Sequence, residues 1–589
     1  MKDFVKMVLA VICGFFIIGI ICFILSMGML GAALASGNSK TVLPKSGVLK
    51  IDLSEIVLAE QTQESNPLAG MDATSLISGA TLSNVSTIGI WDAVQAVNAA
   101  AEDPAVKFIY LRTDNNLSSA SSLSELRVAL EHFRTTSGKP IVAYTETPAT
   151  AGYYLASVSD KIYMTPSLGA SSQLTGVSAT MMFFGDLLKQ FGVNVQLIRH
   201  GKYKSAGEMY TRGSASPENR EQYQRLMDSM WESLGSQIAA SRSLTLEQLN
   251  ALIEGLKLNL PQDFVDNGLV DELLGREALH DKLATLAVVD KYKDVKWISF
   301  SDYVGAKLLP SKAREKIAVI YADGEIVDGN AKAAVAGDRF ASVIAKVRAD
   351  STVKAVVLRV NSPGGSVLAS EKIKDEMDLL KATKPVVASY GDYAASGGYW
   401  ISNNCEKIYS DATTLTGSIG VFGMVPDLSK TIKDVAHIGV ERVSALKHGD
   451  MYGLTSPFDN DEYAYMLTSI EAVYDRFTTI VSEGRAIPKE TVDAIGQGRV
   501  WTGADALDIH LVDEIGTLED AIRYAAGLAG DTDLSNWNIK GYPTPPTTME
   551  QILDMLGQGS DAEGALISAL RKVTTPQILA RLDNEIRVQ

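Results

Sequence analysis

Asp350-Ser-Thr-Val-Lys-Ala-Val-Val-Leu-Arg359 decides the fold, because the chain has already run through the same pattern at Asp103-Pro-Ala-Val-Lys-Phe-Ile-Tyr-Leu-Arg112. Each time an aspartate and three further residues ending in valine lead through a lysine into four apolar residues closed by an arginine. Further matches follow in register, roughly 245 residues apart. Lys139-Pro-Ile-Val-Ala143 answers Lys384-Pro-Val-Val-Ala388, and Ala151-Gly-Tyr-Tyr154 answers Ser396-Gly-Gly-Tyr399. Lys161-Ile-Tyr163 answers Lys407-Ile-Tyr409, His200-Gly201 answers His448-Gly449, and Ser216-Pro217 answers Ser456-Pro457. Leu269-Val-Asp-Glu272 answers Leu511-Val-Asp-Glu514. Chance does not hold so many matches in order, so residues 46–308 and 314–540 read as two copies of one domain.

Within each copy, short Val/Ile-rich runs alternate with longer amphipathic stretches. This is the pattern of an α/β fold built from repeated β-α-β units. In the second copy, Val356 to Val360 reads as a strand, Asn361-Ser-Pro-Gly-Gly365 as a turn, Leu368 to Leu380 as a helix and Pro385 to Ser389 as the next strand. Ser216-Pro217 and Ser456-Pro457 read as helix N-caps with proline in the first turn. Residues 58–88, rich in Ser, Thr, Asn and Gly, read as a loop inserted in the first copy. In the tail, 541–589, Met549, Ile552, Leu553 and Leu556 have helical spacing.

The 589 residues are 46% apolar and 21% charged, an ordinary globular composition. A net charge of −16 with no Lys/Arg-rich run argues against nucleic acid as a partner. Of three cysteines, Cys13 and Cys22 lie in an apolar N-terminal stretch, which leaves Cys405 alone in the body. No Cys pair has metal-ligand spacing and no nucleotide motif is present, so neither a metal nor a cofactor is expected. After a short tail of residues 1–6, Met7 to Ala35 carries no charge and is long enough to span a bilayer as an anchor. The alternative, a cleaved signal peptide, has Ala33-Leu-Ala35 in its favour and the length of the run against it. Lysines flank the run on both sides, so charge does not fix its orientation.

The copies differ where chemistry would need them to. Copy two has Ala394-Ala-Ser-Gly-Gly-Tyr-Trp400, and copy one has Ala151 at the place of Ser396. A serine at a strand-to-helix corner can expose its hydroxyl while the following N–H groups face a carbonyl oxygen. By itself the motif fits a tight helix–sheet contact equally well. Asn361-Ser-Pro-Gly-Gly-Ser366 has adjacent glycines that let backbone approach a ligand. An amide of Gly364 or Gly365, together with that of Gly397, could form a two-donor oxyanion hole. Copy one has Asp114-Asn-Asn-Leu117 there.

A serine nucleophile needs a base, and none of the six histidines lies in a triad motif. A lysine can serve if burial favours its neutral form. Lys204, in Gly201-Lys-Tyr-Lys-Ser205, has its counterpart near Tyr452, and Lys202 competes for the role. Ser418, in Thr416-Gly-Ser-Ile-Gly420, could orient the lysine amine; it could equally be a turn serine.

Ser362-Pro-Gly-Gly365, Ala395-Ser-Gly-Gly398, Leu415-Thr-Gly-Ser-Ile-Gly420 and Gly201-Lys-Tyr-Lys-Ser-Ala206 together resemble the long, tandem-repeat form of the signal peptide peptidase A (protease IV) family. The resemblance covers nearly the whole chain, anchor included. It implies two tandem Clp-protease/crotonase-like domains behind one transmembrane helix. It implies a membrane-anchored serine endopeptidase with a Ser/Lys dyad split between the copies, Ser396 as nucleophile, Lys204 as general base and Ser418 positioning the lysine. Cleaved signal peptides and other apolar peptides are the implied substrates. It also implies a homotetramer with an apolar bowl facing the membrane, its body outside the bacterial cytoplasmic membrane. Two alternatives stand beside it: a crotonase-type acyl-CoA enzyme, which would need a catalytic carboxylate and a CoA surface, and a non-catalytic membrane scaffold.

Overall fold

The repeated motifs do the same structural work in both halves. Asp103 accepts the N–H of Ala105 at 2.9 Å, and Asp350 accepts that of Thr352 at 2.9 Å. These aspartate turns launch the strands Val106–Arg112 and Val353–Ser362. Lys139 donates to the carbonyls of Ala100 and Asp103, where the helix Ile90–Glu102 ends. Lys384 does so for Val347 and Asp350 after the helix Gly337–Ala349. A cation at a helix C-terminus satisfies orphan carbonyls and the helix dipole together. Asp271 accepts the N–H of Ile162, and Asp513 that of Ile408, each at 2.8 Å.

The computed structural model describes residues 42–63, 85–170, 172–332, 334–547, 550 and 577–581. Six strands form a parallel sheet in the order Glu272–Leu273, Lys161–Met164, Ile141–Thr145, Val106–Arg112, Gly47–Asp52, Trp297–Ser299. The second half repeats it. Val386–Ala395, Val353–Ser362, Lys316–Asp323 and Asn538–Tyr542 are neighbours, all parallel. Ile408–Ser410 and Glu514–Ile515 continue beside Val386–Ala395, and Leu415–Gly417 pairs with its far end and with the antiparallel Val500–Thr502. The chain is thus mixed α/β.

Parallel strands buried on both faces read as unbroken apolar runs. Along Lys316–Asp323, Ile317, Val319 and Tyr321 face a core shared with the first half, while Ala318, Ile320 and Ala322 face the second half's own core. A third sheet ties the halves together, in the order Val335–Ala336, Ile326–Val327, Gly364–Ser366, Gln577–Arg581, Val421–Asp427, Asn194–His200. Its first-half strand, Asn194–His200, runs antiparallel to Val421–Asp427 over seven residue pairs.

Three sequence expectations need correction. Asn361–Gly365 is not a simple turn: the strand runs through Ser362, and Gly364–Ser366 is extended because it pairs with neighbours on both sides. Ser216 does cap the helix Pro217–Ser241, but Ser456 caps nothing comparable. The corresponding helix is Asn460–Arg485, and Asp459 caps it by accepting the N–H of Glu462. The 58–88 insertion is not loop at its ends, where Ile56–Ala59 and Ser86–Gly89 form a parallel pair; residues 64–84 lie outside the described residues. So do the apolar run 7–35 and Met549, Ile552, Leu553 and Leu556. Among the described residues no helix is long and apolar enough to cross a membrane.

Candidate active site

Ser396 stands between the strand Val386–Ala395 and the short helix Gly397–Trp400, with φ 55° and ψ −111°. Positive φ on a residue with a Cβ is strained, on the order of 1–3 kcal/mol, and marks a corner held by its surroundings. The holding contacts are the Ser396 N–H to the Gly417 carbonyl and the Trp400 N–H to the Ser396 carbonyl. Gly397 and Gly398 are needed for close approach. A Cβ on Gly397 would lie 2.7 Å from Ser370 Oγ, and one on Gly398 2.7 Å from the Ser362 carbonyl oxygen.

Lys204 arrives from the other half. The strand Asn194–His200 ends in Gly201, at φ 93°, and the chain turns under Gln497, whose carbonyl accepts the Tyr203 N–H at 3.0 Å. The turn is tethered by Arg199, which donates to the Lys204 carbonyl and pairs with buried Glu208. Lys204 Nζ lies 2.9 Å from Ser396 Oγ, 3.0 Å from Ser418 Oγ and 3.3 Å from the Ser418 carbonyl oxygen. All three residues are buried, Ser396 fully and the other two to within 1%. Ser418 also has positive φ, 49°. Its N–H donates to the Arg499 carbonyl at 2.7 Å, and its hydroxyl reaches the Gly498 carbonyl at 3.5 Å. With that hydroxyl hydrogen turned away, both Ser418 oxygens can accept N–H from the amine. A neutral amine so held turns its lone pair towards Ser396 Oγ. Lys202, the competing lysine, is exposed and lies over the Tyr203 ring.

The glycines meet the serine as well. A Cβ on Gly397 would also fall 3.1 Å from the Gly364 Cα and the Gly365 nitrogen. The Gly364 N–H is engaged by Ser362 Oγ at 3.2 Å. Gly365 is pressed against Ile326, whose carbonyl oxygen a Cβ would reach at 1.9 Å.

The structure thus gathers Ser396, Lys204, Ser418, Gly364, Gly365 and Gly397 at one place. The sequence reading missed Gly420 and Gly498, which make room for the lysine stem. A Cβ on Gly498 would stand 2.4 Å from Lys204 Cβ, and one on Gly420 3.2 Å from Lys204 Cδ. It also missed Phe422, whose ring centre is 5.9 Å from Nζ. Gly420 was in view as part of a quoted motif, but nothing local distinguishes Gly498.

Peptidase family S49 matches residues 134–290 and 378–531, one stretch in each half. Protease 4 of Haemophilus influenzae is 33% identical over 574 residues, covering 94% of this chain and 90% of that protein. The chain belongs to peptidase family S49. Protease 4 of Salmonella typhi is 34% identical, covering 87% of this chain and 82% of its own. The chloroplastic serine protease SPPA of Arabidopsis thaliana is 30% identical, covering 82% and 72%. The resemblance to signal peptide peptidase A/protease IV therefore holds across the chain. This family and these relatives make it a serine peptidase of family S49.

Proposed function

We propose that the chain cleaves apolar peptides, cleaved signal peptides among them, through a Ser396–Lys204 dyad split between its halves. The observation that carries this is the buried 2.9 Å approach of Lys204 Nζ to Ser396 Oγ. Burial disfavours an ammonium, so the amine is available as a base. Neutral Nζ takes the Ser396 proton as Oγ attacks the scissile carbonyl carbon. The amides of Gly365 and Gly397 receive the oxyanion, Gly364 being engaged by Ser362. The ammonium then protonates the leaving nitrogen, the C–N bond breaks, and an acyl-serine remains. Water, giving its proton to the same Nζ, attacks the ester and releases the acid; the serine regains its hydrogen. Ser418 positions the amine throughout. The reaction needs no metal or organic cofactor.

The same reading takes residues 7–35 as a single-pass anchor in the bacterial cytoplasmic membrane with the body outside it, and each half as Clp-protease/crotonase-like. The long apolar run and the β-α order of both sheets support it. A homotetramer fits the exposed segment that carries Val435, Ile438, Val440, Val443 and Leu446, each more than half exposed. Such a patch on one chain marks an interaction site.

The test is cleavage of an apolar peptide by the full chain in detergent, beside Ser396→Ala and Lys204→Ala. Both substitutions are expected to abolish turnover while leaving the fold intact by circular dichroism. Full activity in either variant would sink the dyad.

A further inference from the structure

The strand that delivers Ser396 also walls a cavity between the halves. Tyr393 stands three residues before Ser396, about 10 Å away at the rise of a strand. With Asp392 it lines a cavity of about 610 Å³. Leu415, paired with Tyr393 on the next strand, continues this wall, and Leu117, Ala151 and Met230 of the first half stand around it.

The first-half part of this cavity is the counterpart of the Ser396 corner. Tyr153 and Tyr399 donate to matching carbonyls, those of Leu269 and Leu511. Gly152 and Gly398 each abut a carbonyl oxygen, which a Cβ would meet at 2.6 Å on Thr113 and 2.7 Å on Ser362. These pairings put Thr150, rather than Ala151, opposite Ser396. Thr150 Oγ1 accepts the N–H groups of Thr175 and Gly176, each at 3.2 Å. No lysine or histidine lines the cavity. The place has room for a ligand and no base to activate a nucleophile.

Its charge is one-sided. Asp392 is the one charged side chain in the lining, and it accepts only the Ser121 N–H, at 3.3 Å, among the described residues. Arg112 and Arg359, on strands of the two sheets, are matched by other carboxylates: Arg112 by Asp114, Arg359 by Glu60 and Glu125. A cleft with charge of one sign attracts the opposite charge. Met230 and Leu415 offer apolar surface to a methylene stem, which basic side chains bury while the charged end finds its partner.

We propose that this cavity is an exosite for a lysine side chain of the peptide under cleavage, its ammonium on Asp392 and its stem against Met230 and Leu415. The proposal rests on the peptidase reading for what happens at Ser396, but not for what the cavity holds. Cleaved signal peptides carry basic residues ahead of their apolar run. An extended chain covers about 3.3 Å per residue, so a lysine held here puts a bond about three to six residues away at Ser396.

Two N-acetylated apolar peptides test this on the full chain in detergent. One carries a lysine about five residues from the cleaved bond, and the other carries norleucine in its place. The lysine peptide is expected to show a KM about threefold lower, the scale of a part-exposed ion pair. Asp392→Asn, which keeps an acceptor for Ser121, should bring the ratio to about one. So should Leu117→Lys, which sets a competing ammonium at the cavity from a residue that is 72% exposed and so leaves the core intact. Binding of both peptides to Ser396→Ala, read by fluorescence anisotropy, should show the same ratio without turnover. Equal KM values in the parent overturn the proposal. So does a ratio that survives both substitutions, which would report attraction to the chain's net charge of −16 at large. A lysine preference in binding that Asp392→Asn removes, in a chain that cleaves nothing, keeps the exosite and removes the peptidase reading instead.

Discussion

Ser396 and Ser418 both hold positive φ, and between them sits an amine whose lone pair has one useful direction. Removing the Ser418 hydroxyl leaves the amine one fewer acceptor and frees it to rotate. Ser418→Ala is therefore expected to lower kcat roughly 10- to 100-fold, the scale of a lost supporting contact. A positioning role also predicts a displaced pH–rate profile, because the base changes surroundings; an unmoved profile would leave Ser418 merely structural. Gly498→Ala tests the room around the lysine, since its Cβ would overlap Lys204 Cβ and Gly498 sits at φ 79°. Lost activity is expected, with about 1–3 kcal/mol of stability lost to overpacking, read by urea unfolding. Cys405 offers a control on burial. Its enclosed site pushes the thiol up to about 12, so the thiolate is scarce at pH 8. Iodoacetamide at pH 8 is expected to spare it in the folded protein and label it in urea; fast native labelling would show that this region opens. Ser396 and Lys204 were legible because the chain carries its own comparison, each copy keeping one member of the pair. Gly498 was not, because its role depends on an approach between distant segments.

Strands and helices that recur in both halves were legible for the same reason, and misreadings fell where the halves diverge. Asn361–Gly365 has the composition of a turn, yet strand partners on both sides hold Gly364–Ser366 extended. Local sequence does not reveal them, because one partner is the tail. The helix Pro217–Ser241 was visible from its Ser-Pro start, but its reach was not. Gln222 accepts the Val500 N–H at 2.8 Å, and Arg225 pairs with Asp505 across the halves. The helix thereby steadies Val500–Thr502, next to the Arg499 carbonyl that holds the Ser418 N–H. Ser216→Ala removes the cap on Asn219 and is expected to cost about 1 kcal/mol. Gln222→Ala leaves the buried Val500 N–H without that acceptor and is expected to cost more, about 1–3 kcal/mol, with activity falling alongside. Equal costs in urea titrations, with activity untouched by Gln222→Ala, would separate this helix from the site.

The proposed dyad, split between the halves, works only if the halves stay together, and the deepest link between them is ionic. Arg359 Nε lies 2.6 Å from Glu60 Oε2, and Nη2 lies 2.7 Å from Glu125 Oε1; all three residues are buried. Glu125 also accepts the Leu518 N–H at 2.8 Å. Burial pushes the Glu125 carboxyl up, against the pull of Arg359. Burial likewise opposes the Arg359 charge, but Glu125 and Glu60 outweigh it and hold the guanidinium well above its usual value. Two carboxylates therefore share one cation, and the partners are not equivalent. Arg359→Ala strands both acids and is expected to cost on the order of 3–5 kcal/mol. Glu60→Ala leaves a one-to-one Glu125–Arg359 pair and relieves the repulsion between the acids, so it is expected to cost clearly less. Because Lys204 and Ser396 sit on opposite sides of this link, peptidase activity of Arg359→Ala should disappear at a urea concentration that the parent tolerates. Equal costs for the two substitutions, or activity that outlasts the parent's in urea, would mean that the shared strands and apolar core hold the halves together without the arginine.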